Sequence, residues 1–185
     1  MKETKQAKDN YFILTGAMGA GKSTLLKELR KLGLPCIDEP ARQILAEQRS
    51  LQAEGVPENN PKLFTDLLLS RSIYQFKQMQ NSQEPVIFDR GMPDNIAYAK
   101  LFNLNTQVSL NASQQYRYNK LVFFLPGWKE IYKNDDERKM TFNEANQFGH
   151  EIKKIYQALA YQAIDVPLDS PLSRAEFIFN RVVEK

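Results

Sequence analysis

Nine consecutive residues near the amino terminus have the types and spacing that bind a polyphosphate. The first eight of them match G-x-x-x-x-G-K-[ST], the Walker A pattern, and only Thr15 separates them from a short apolar run at residues 11–14. Glycines let the backbone curl so that successive N–H groups point inward, and the helix that follows adds its positive dipole end. The residues of this phosphate loop, which we expect to contact a nucleotide, are Gly16, Ala17, Met18, Gly19, Ala20, Gly21, Lys22, Ser23 and Thr24.

Two side chains of the phosphate loop have distinct chemical roles in such a cradle. Lys22 is expected to bridge the terminal phosphates, and Ser23 is expected to place its hydroxyl on Mg²⁺, which prefers oxygen ligands. A second magnesium ligand is expected after another strand, and Asp89 follows the apolar residues 85–88. The alternative for Asp89 is a helix cap or a turn.

Further charged residues follow two of the apolar runs. Arg90 comes directly after Asp89, and a guanidinium there can fork onto a phosphate or hold an accepting hydroxyl; the alternative is a surface arginine. Asp38 and Glu39 precede Pro40. Phosphoryl transfer to an alcohol benefits from a carboxylate that orients the hydroxyl and takes its proton. Glu39 is the candidate base and Asp38 the reserve, unless the pair only stabilises the dipole at the start of a helix.

Apolar runs and helical periodicities alternate along the chain and would position these side chains. Short apolar runs predict five buried strands at residues 11–14, 35–37, 85–88, 121–125 and 164–168. Apolar positions that recur every three or four residues predict helices at residues 22–32, 42–54, 62–80, 94–102, 112–118, 141–161 and 173–183. Capping boxes begin the last two helices, at Thr141 and Ser173. The alternation predicts an α/β fold, a parallel sheet covered on both faces by helices, with ligands at the carboxyl ends of the strands.

The composition fits one folded domain and excludes several classes of protein. The chain has 185 residues, 42% hydrophobic and 25% charged, so we expect a flexible polar segment at residues 1–10 and a single domain at residues 11–185. The net charge of +3 is small for a nucleic-acid binder, and no run of about 20 apolar residues could span a membrane. The single cysteine, Cys36, and the single histidine, His150, exclude a disulfide framework and Cys- or His-based metal sites, which favours a cytoplasmic location.

The order and spacing of the motifs resemble a known family. The phosphate loop, then Glu39-Pro40, then Asp89-Arg90 together resemble the P-loop kinases of the deoxynucleoside kinase and ribosylnicotinamide kinase type. The chain is most similar to the NadR-like ATPase/kinase family, in which a Glu-x-x-Arg, an Asp-Arg-Gly and a Leu-Pro-x-Trp segment recur. Here these segments begin at Glu39, Asp89 and Leu125, and the likeness extends from about residue 11 to residue 180.

This resemblance implies a fold, a donor and roles for the charged residues. The fold is a three-layer P-loop NTPase fold with a five-stranded parallel sheet, and the donor is ATP with Mg²⁺. Glu39 would be the base, Asp89 would bind magnesium, and Arg90 would lie near the transferred phosphate.

The resemblance also implies a mobile lid at residues 128–145. Within it, Arg138 is the candidate to close on ATP and stabilise developing charge, and Lys133 and Lys139 are weaker candidates. Solvated surface charge is the alternative for all three. A denser arginine lid is usual in nucleoside kinases.

The binding regions for the two substrates are less defined in sequence. By the resemblance, the helix at residues 62–80 would roof the acceptor pocket, although aromatic residues at such spacing also build cores. The adenine ring would contact the loop at residues 167–170 through backbone groups. The helix residues considered for the acceptor are Phe64, Arg71, Tyr74, Gln75 and Phe76.

We therefore expect an ATP-dependent kinase that transfers the γ-phosphoryl to a hydroxyl of a small molecule, with nucleosides and nicotinamide riboside as candidate acceptors. The alternative is a slow ATPase or a nucleotide sensor that acts through a protein partner. A GTPase is disfavoured because residues 119–122 lack the aspartate of an Asn-Lys-x-Asp motif. The sequence leaves the acceptor and the oligomeric state open.

Overall fold

The structure, a computed structural model, describes residues 5–133 and 140–183. The strands in these ranges are β1 (Gln6–Ala7), β2 (Tyr11–Gly16), β3 (Cys36–Ile37), β4 (Val86–Asp89), β5 (Tyr116–Arg117), β6 (Leu121–Leu125) and β7 (Gln162–Asp165). The helices are α1 (Lys22–Lys31), α2 (Pro40–Ser50), α3 (Pro61–Gln78), α4 (Met92–Leu101), α5 (Gln107–Gln115), α6 (Phe142–Ala158) and α7 (Pro171–Val183). A short 3₁₀ turn spans Lys129–Ile131.

Five of the strands form one parallel sheet, as the alternating sequence pattern predicts. The strand order is β3-β4-β2-β6-β7, and all four neighbouring pairs are parallel. Parallel neighbours must be joined by crossovers, and helices supply these here. The carboxyl ends of β2, β3 and β4 therefore lie at the same edge of the sheet. This edge holds the phosphate loop, Glu39 and Asp89.

The two faces of the sheet are covered by different helices. Side chains alternate along β2, so Tyr11 and Ile13 pack into the apolar core formed with α2 to α6, whereas Phe12 and Leu14 pack into the core formed with α1 and α7. All four of these side chains are buried. Because β2 is covered on both faces, the phosphate loop at its end rests on a rigid support.

The last strand of the sheet begins two residues and ends three residues earlier than the sequence pattern predicts. The prediction for residues 164–168 followed the apolar residues, but β7 begins at Gln162, which pairs with Leu121, and ends at Asp165. Gln162 and Asp165 are exposed because β7 is an edge strand. The strand therefore begins with a polar residue, and a search for apolar runs does not detect its start. Pro167 has no N–H to continue a ladder, and the chain leaves the sheet there.

The structure also differs from the helix predicted at residues 112–118. Helix α5 begins five residues earlier, at Gln107, and ends at Gln115. Tyr116 and Arg117 then pair in parallel with Gln6 and Ala7. The segment expected to be flexible at residues 1–10 thus contains a strand, whose partner is distant in sequence.

The two predicted capping boxes have different outcomes. At the start of α6, the Glu144 N–H donates to Thr141 Oγ1 at 3.3 Å and the Thr141 N–H donates to Glu144 Oε2 at 2.7 Å, as predicted. The box predicted at Ser173 is wrong, because α7 already begins at Pro171 and the Ser173 N–H donates to Ser170 Oγ at 3.2 Å. Ser170 therefore caps this helix. No helix within residues 5–133 and 140–183 has the length and apolar character needed to cross a membrane.

Candidate functional site

The phosphate loop joins β2 to α1 through backbone conformations that favour glycine. Gly16, Gly19 and Gly21 have φ angles of +142°, +75° and +86°. At Gly16 a side chain is excluded by space as well, because a Cβ atom there would lie 2.1 Å from the carbonyl oxygen of Leu125. The Ala17 N–H donates to the same oxygen at 3.0 Å. The loop is thus fixed against the end of β6, in the strand–loop–helix context that the motif requires.

Lys22 is held in this loop near carboxylates but without a direct ion-pair partner among the described residues. The residue is 8% exposed, and its ammonium group makes no hydrogen bond with any residue of the described ranges. Burial lowers the pKa of the Lys22 ammonium, and the nearby Arg90 guanidinium lowers it further, whereas the carboxylates of Asp89 and Glu39 oppose these effects. A buried ammonium in this setting gains from a bound anion, which fits a terminal phosphate. Ser23 and Thr24 are exposed at the wall of the adjoining cleft.

Asp89 ends β4 beside this cleft and has an unused oxygen. The residue is 8% exposed, and its Oδ1 atom has no hydrogen-bond partner among the described residues. Burial raises the pKa of Asp89 from its ordinary value of 3.8 to about 6, and the Lys22 ammonium opposes that rise. A buried carboxylate oxygen with a free lone pair beside Ser23 and the glycine cradle fits a hydrated divalent cation on a polyphosphate.

Arg90 connects two carboxylates inside the protein. Its side chain is 6% exposed; Nε lies 2.8 Å from Oε1 of Glu39, and Nη1 donates to Oδ1 of Asp94 at 2.9 Å. The backbone of Arg90 has a φ of +69°, which is uncommon outside glycine and turns the chain sharply between β4 and α4. Arg90 is therefore not the surface arginine of the alternative interpretation. It holds Glu39 in place from inside the protein.

Glu39 presents one free carboxylate oxygen to the cleft. Its Oε1 atom contacts Arg90 Nε and accepts a hydrogen bond from the Tyr98 hydroxyl at 3.0 Å. Its Oε2 atom has no partner among residues 5–133 and 140–183. Asp38, the reserve candidate, has a side chain that is 75% exposed and paired with Arg30 at 2.8 Å, so it does not share this network.

Asp94 organises the network, although no sequence motif indicates it. Its carboxylate accepts hydrogen bonds from the Thr15 hydroxyl at 2.6 Å, from the Gly91 N–H at 3.0 Å and from the Tyr156 hydroxyl at 2.5 Å, besides its ion pair with Arg90. Asp94 is 1% exposed. In sequence it is an acid in the first turn of a helix, and no local signal distinguishes it from an ordinary capping residue.

A wide cleft extends from the phosphate loop across the edge of the sheet. It has a volume of about 1490 Å³ and is lined on one side by α2, α3 and α4. Of the α3 residues considered for an acceptor, Phe64 and Gln75 line this cleft. Phe76 does not, because it packs in the core against Tyr11 and Tyr118. Arg71 pairs with Glu47, and Tyr74 is 58% exposed.

A narrow recess lies beneath the acceptor side of the cleft. Its volume of about 10 Å³ is close to that of one water, and its wall includes Glu39, Asp89, Asn95 and Tyr98. Asn95 is 2% exposed, and its Oδ1 atom has no hydrogen-bond partner in the described part of the chain. No sequence motif indicated Asn95 or Tyr98.

The opposite end of the cleft is formed by residues that follow β6 and β7. Trp128, Asp169, Ser170 and Arg174 line it, and two of these, Asp169 and Ser170, belong to the loop at residues 167–170 that is expected to contact adenine. Lys133 is exposed and also lines the cleft. The candidates Arg138 and Lys139 lie outside the described residues.

Comparisons with solved structures identify the fold. Deoxyadenosine kinase from M. mycoides, solved with dCMP and dCDP, superposes with a TM-score of 0.70 at 19% identity over 95% of this chain and 100% of that one. NadR in complex with NR has a TM-score of 0.70 at 17% identity, over 98% of this chain and 52% of that chain. Shikimate kinase from Acinetobacter baumannii has a TM-score of 0.54 at 18% identity, over 94% and 93% of the two chains.

Two of these three structures are named as kinases, and nearly the whole chain, with its five-stranded sheet, superposes on them. The predicted kinase-like P-loop fold with five parallel strands is thus confirmed. No curated protein matches the chain in sequence. A family model described as an AAA domain matches residues 11–174, which is most of the chain and includes the phosphate loop, Glu39 and Asp89. The chain therefore belongs to this AAA-domain family of P-loop NTPases.

Proposed function

We propose that this protein is an ATP-dependent small-molecule kinase that transfers the γ-phosphoryl group to a hydroxyl. The observation that carries this proposal is the carboxylate of Glu39, whose Oε1 atom is held by Arg90 and Tyr98 while Oε2 is free at the cleft. A group that only shaped the pocket would not need a carboxylate fixed on one side and open on the other. The arrangement is that of a base poised for a bound hydroxyl.

The proposed reaction assigns one step to each group. The acceptor oxygen forms a bond to the γ-phosphorus as the bond from that phosphorus to the β–γ bridging oxygen breaks, and the hydroxyl proton passes to Oε2 of Glu39. Lys22 neutralises charge on the phosphates, and the N–H groups of the phosphate loop orient them. Ser23 and Asp89 would hold Mg²⁺, which supplies further charge neutralisation when bound.

The paired charges on the acceptor side of the cleft favour an acceptor without a phosphate or carboxylate of its own. Three of the arginines that line the cleft, Arg30, Arg49 and Arg90, are each paired with a carboxylate of the protein. Phe64 and Tyr98 add aromatic surface on the acceptor side. A neutral or cationic compound with a planar ring and a hydroxyl fits this environment, and nucleosides and nicotinamide riboside are such compounds.

The test is the transfer of label from γ-labelled ATP with Mg²⁺ to a panel of nucleosides, nicotinamide riboside, shikimate and other small alcohols. We expect label on an uncharged or cationic acceptor and none on shikimate. Lys22→Ala should abolish transfer, whereas Lys31→Ala, a change on the exposed side of the same helix, should preserve it. If label appears only as free phosphate, at a rate that does not depend on the compounds of the panel, the kinase proposal is wrong and the protein is an ATPase or a nucleotide sensor.

A further inference from the structure

Arg174 lies against the outer side of the phosphate loop. It belongs to the first turns of α7 and is 3% exposed, and both of its Nη atoms donate to the carbonyl oxygen of Ala20 at 3.2 Å. Its guanidinium carbon lies 5.5 Å from the ring centroid of Trp128. A Cβ atom at Gly21 would be 3.1 Å from Arg174 Nη1, so the guanidinium packs directly on the last turn of the loop.

The charge of Arg174 is not balanced by the protein. Arg30, Arg49 and Arg90 each have a carboxylate partner, but Arg174 has none within residues 5–133 and 140–183, and its Nε atom has no acceptor there. A guanidinium stays protonated in proteins, so the charge persists although burial lowers the pKa of Arg174. A buried charge without a counter-ion costs free energy of folding, and a bound anion would recover part of that cost.

The position of the unpaired charge identifies the anion. Arg174 lines the same cleft as Lys22 and Ser23, and it is bound to the residue that precedes Gly21. We propose that Arg174 is a positioning residue for the nucleotide: it fixes the carbonyl of Ala20 on the outside of the loop and adds a second positive charge, beside Lys22, that stabilises a bound polyphosphate. This inference rests on the proposed binding of a nucleoside polyphosphate, but not on transfer to an acceptor.

A purely structural role of Arg174 and an electrostatic role have different consequences for ligand binding. If Arg174 only held the loop in shape, a glutamine that still donates to Ala20 would keep most of the affinity for phosphate-bearing ligands, and the charge of a lysine would add nothing. If its charge contributes, the loss should grow with the number of phosphates on the ligand, because the electrostatic attraction grows with ligand charge. The comparison of Arg174→Gln with Arg174→Lys, each with ATP, ADP, AMP and adenosine, separates the two cases.

The experiment measures the affinities of these four ligands by calorimetric titration with Mg²⁺, using the wild type, Arg174→Gln and Arg174→Lys. Glutamine retains a donor for Ala20 without the charge, and lysine retains the charge. We expect Arg174→Gln to weaken ATP and ADP about tenfold or more while adenosine changes less than about twofold, and Arg174→Lys to recover much of the loss. Arg181→Gln, on the exposed side of the same helix, is the matched control.

Two results would overturn the inference. One is a loss of ATP affinity in Arg174→Gln that Arg174→Lys does not recover, or a loss that is equal for ATP and adenosine; either would mean that the charge adds nothing. The other is no loss for any ligand, including the case in which the wild type binds none. Thermal unfolding of each variant identifies a failure to fold. If Arg174→Gln does not fold, the ligand affinities of Arg174→Lys serve as the test. A wild type that binds ATP but transfers no label would contradict the kinase proposal and leave this inference standing.

Discussion

Nε of Arg90 lies 2.8 Å from Oε1 of Glu39, and the two side chains are 6% and 18% exposed. The pair joins the end of β4 to the start of α2 at the carboxyl edge of the sheet. It also fixes which oxygen of Glu39 stays available, since the Tyr98 hydroxyl occupies the same Oε1 atom. The proposed base therefore has its orientation set before any acceptor binds.

The first prediction concerns this base. Glu39→Gln should slow phosphoryl transfer by about 10²–10⁴-fold, because the amide keeps the shape of the carboxylate but cannot take a proton. The affinity for ATP should change little, since Glu39 belongs to the acceptor side. Single-turnover transfer rates and calorimetric titration with ATP measure the two quantities. Asp38→Asn is the neighbouring control, and it should retain the wild-type rate because Asp38 pairs with Arg30 at the surface. Wild-type transfer by Glu39→Gln would show that the base is another residue.

A second prediction concerns the buried carboxylate of Asp89. Burial raises its pKa to about 6, so between about pH 4 and pH 6 the folded protein binds more protons at this residue than the unfolded chain does. The contribution of Asp89 to the free energy of unfolding therefore falls as the pH rises through this window and stays low above it. Without ligands, Asp89→Asn should be more stable than the wild type by about 1–3 kcal/mol near pH 7.5, and the difference should vanish near pH 4.

Denaturant unfolding at several pH values measures this difference. Asp66→Asn, which alters a surface pair with Lys62, should show no such pH-dependent gain. The Asp89→Asn variant should also lose much of the gain in ATP affinity that Mg²⁺ provides, if Asp89 is a magnesium ligand. Equal stability of the variant and the wild type near pH 7.5 would mean that Asp89 is not penalised by its burial.

A third prediction follows from the contact between α6 and the phosphate loop. A Cβ atom at Gly149 would lie 3.0 Å from both Cα and Cβ of Ala17, closer than ordinary packing allows. Replacing glycine by alanine within a helix normally stabilises the helix by about 1 kcal/mol, but here the added methyl group must displace the phosphate loop. Gly149→Ala should therefore weaken ATP binding about threefold or more, as the displaced loop loses N–H alignment.

Titration with ATP and thermal unfolding test this prediction together. Asn143→Ala, at an exposed position of the same helix, should leave ATP affinity unchanged. Unaltered nucleotide affinity in Gly149→Ala would show that the loop tolerates the displacement.

The fourth prediction concerns Asn95 in the recess below the acceptor side. Its Oδ1 atom is buried without a partner, so Asn95→Leu removes an unsatisfied polar atom and should leave the free energy of unfolding unchanged or raise it. If the amide binds a polar group of the acceptor, the same variant should raise the KM for the acceptor about tenfold. ATP affinity should not change. A variant that is destabilised and has an unchanged KM would assign Asn95 a structural role only.

The parts of the site that follow one another along the chain could be predicted from the sequence. The phosphate loop is a local pattern, and the alternation of apolar runs and helices brings Glu39 and Asp89 to the same edge because parallel strands end there. Asp94 could not be predicted, because its role depends on Thr15 and Tyr156, which are 79 and 62 residues away. Arg174 contacts Ala20 across 154 residues, and no spacing rule connects two such positions.

The difference between local patterns and distant contacts also explains why some strands were predicted at the wrong residues or not at all. Strand β7 was displaced in the prediction because its position follows from pairing with Leu121 and not from its own apolar residues. The pairing of Gln6 and Ala7 with Tyr116 and Arg117 has no apolar signature, since the first two residues are exposed. Local periodicity predicts which elements exist, whereas their register depends on neighbours that only the folded chain brings together.

The apolar layer beneath the phosphate loop combines early and late parts of the chain. Phe12 and Leu25 pack in one core with Ile178, and α7 also supplies the guanidinium that binds Ala20. During synthesis the loop emerges long before α7 does, and contacts of such long sequence separation form slowly. We expect a nascent chain that still lacks α7 to be unable to retain a nucleotide, so that binding competence is acquired as one of the last events of folding.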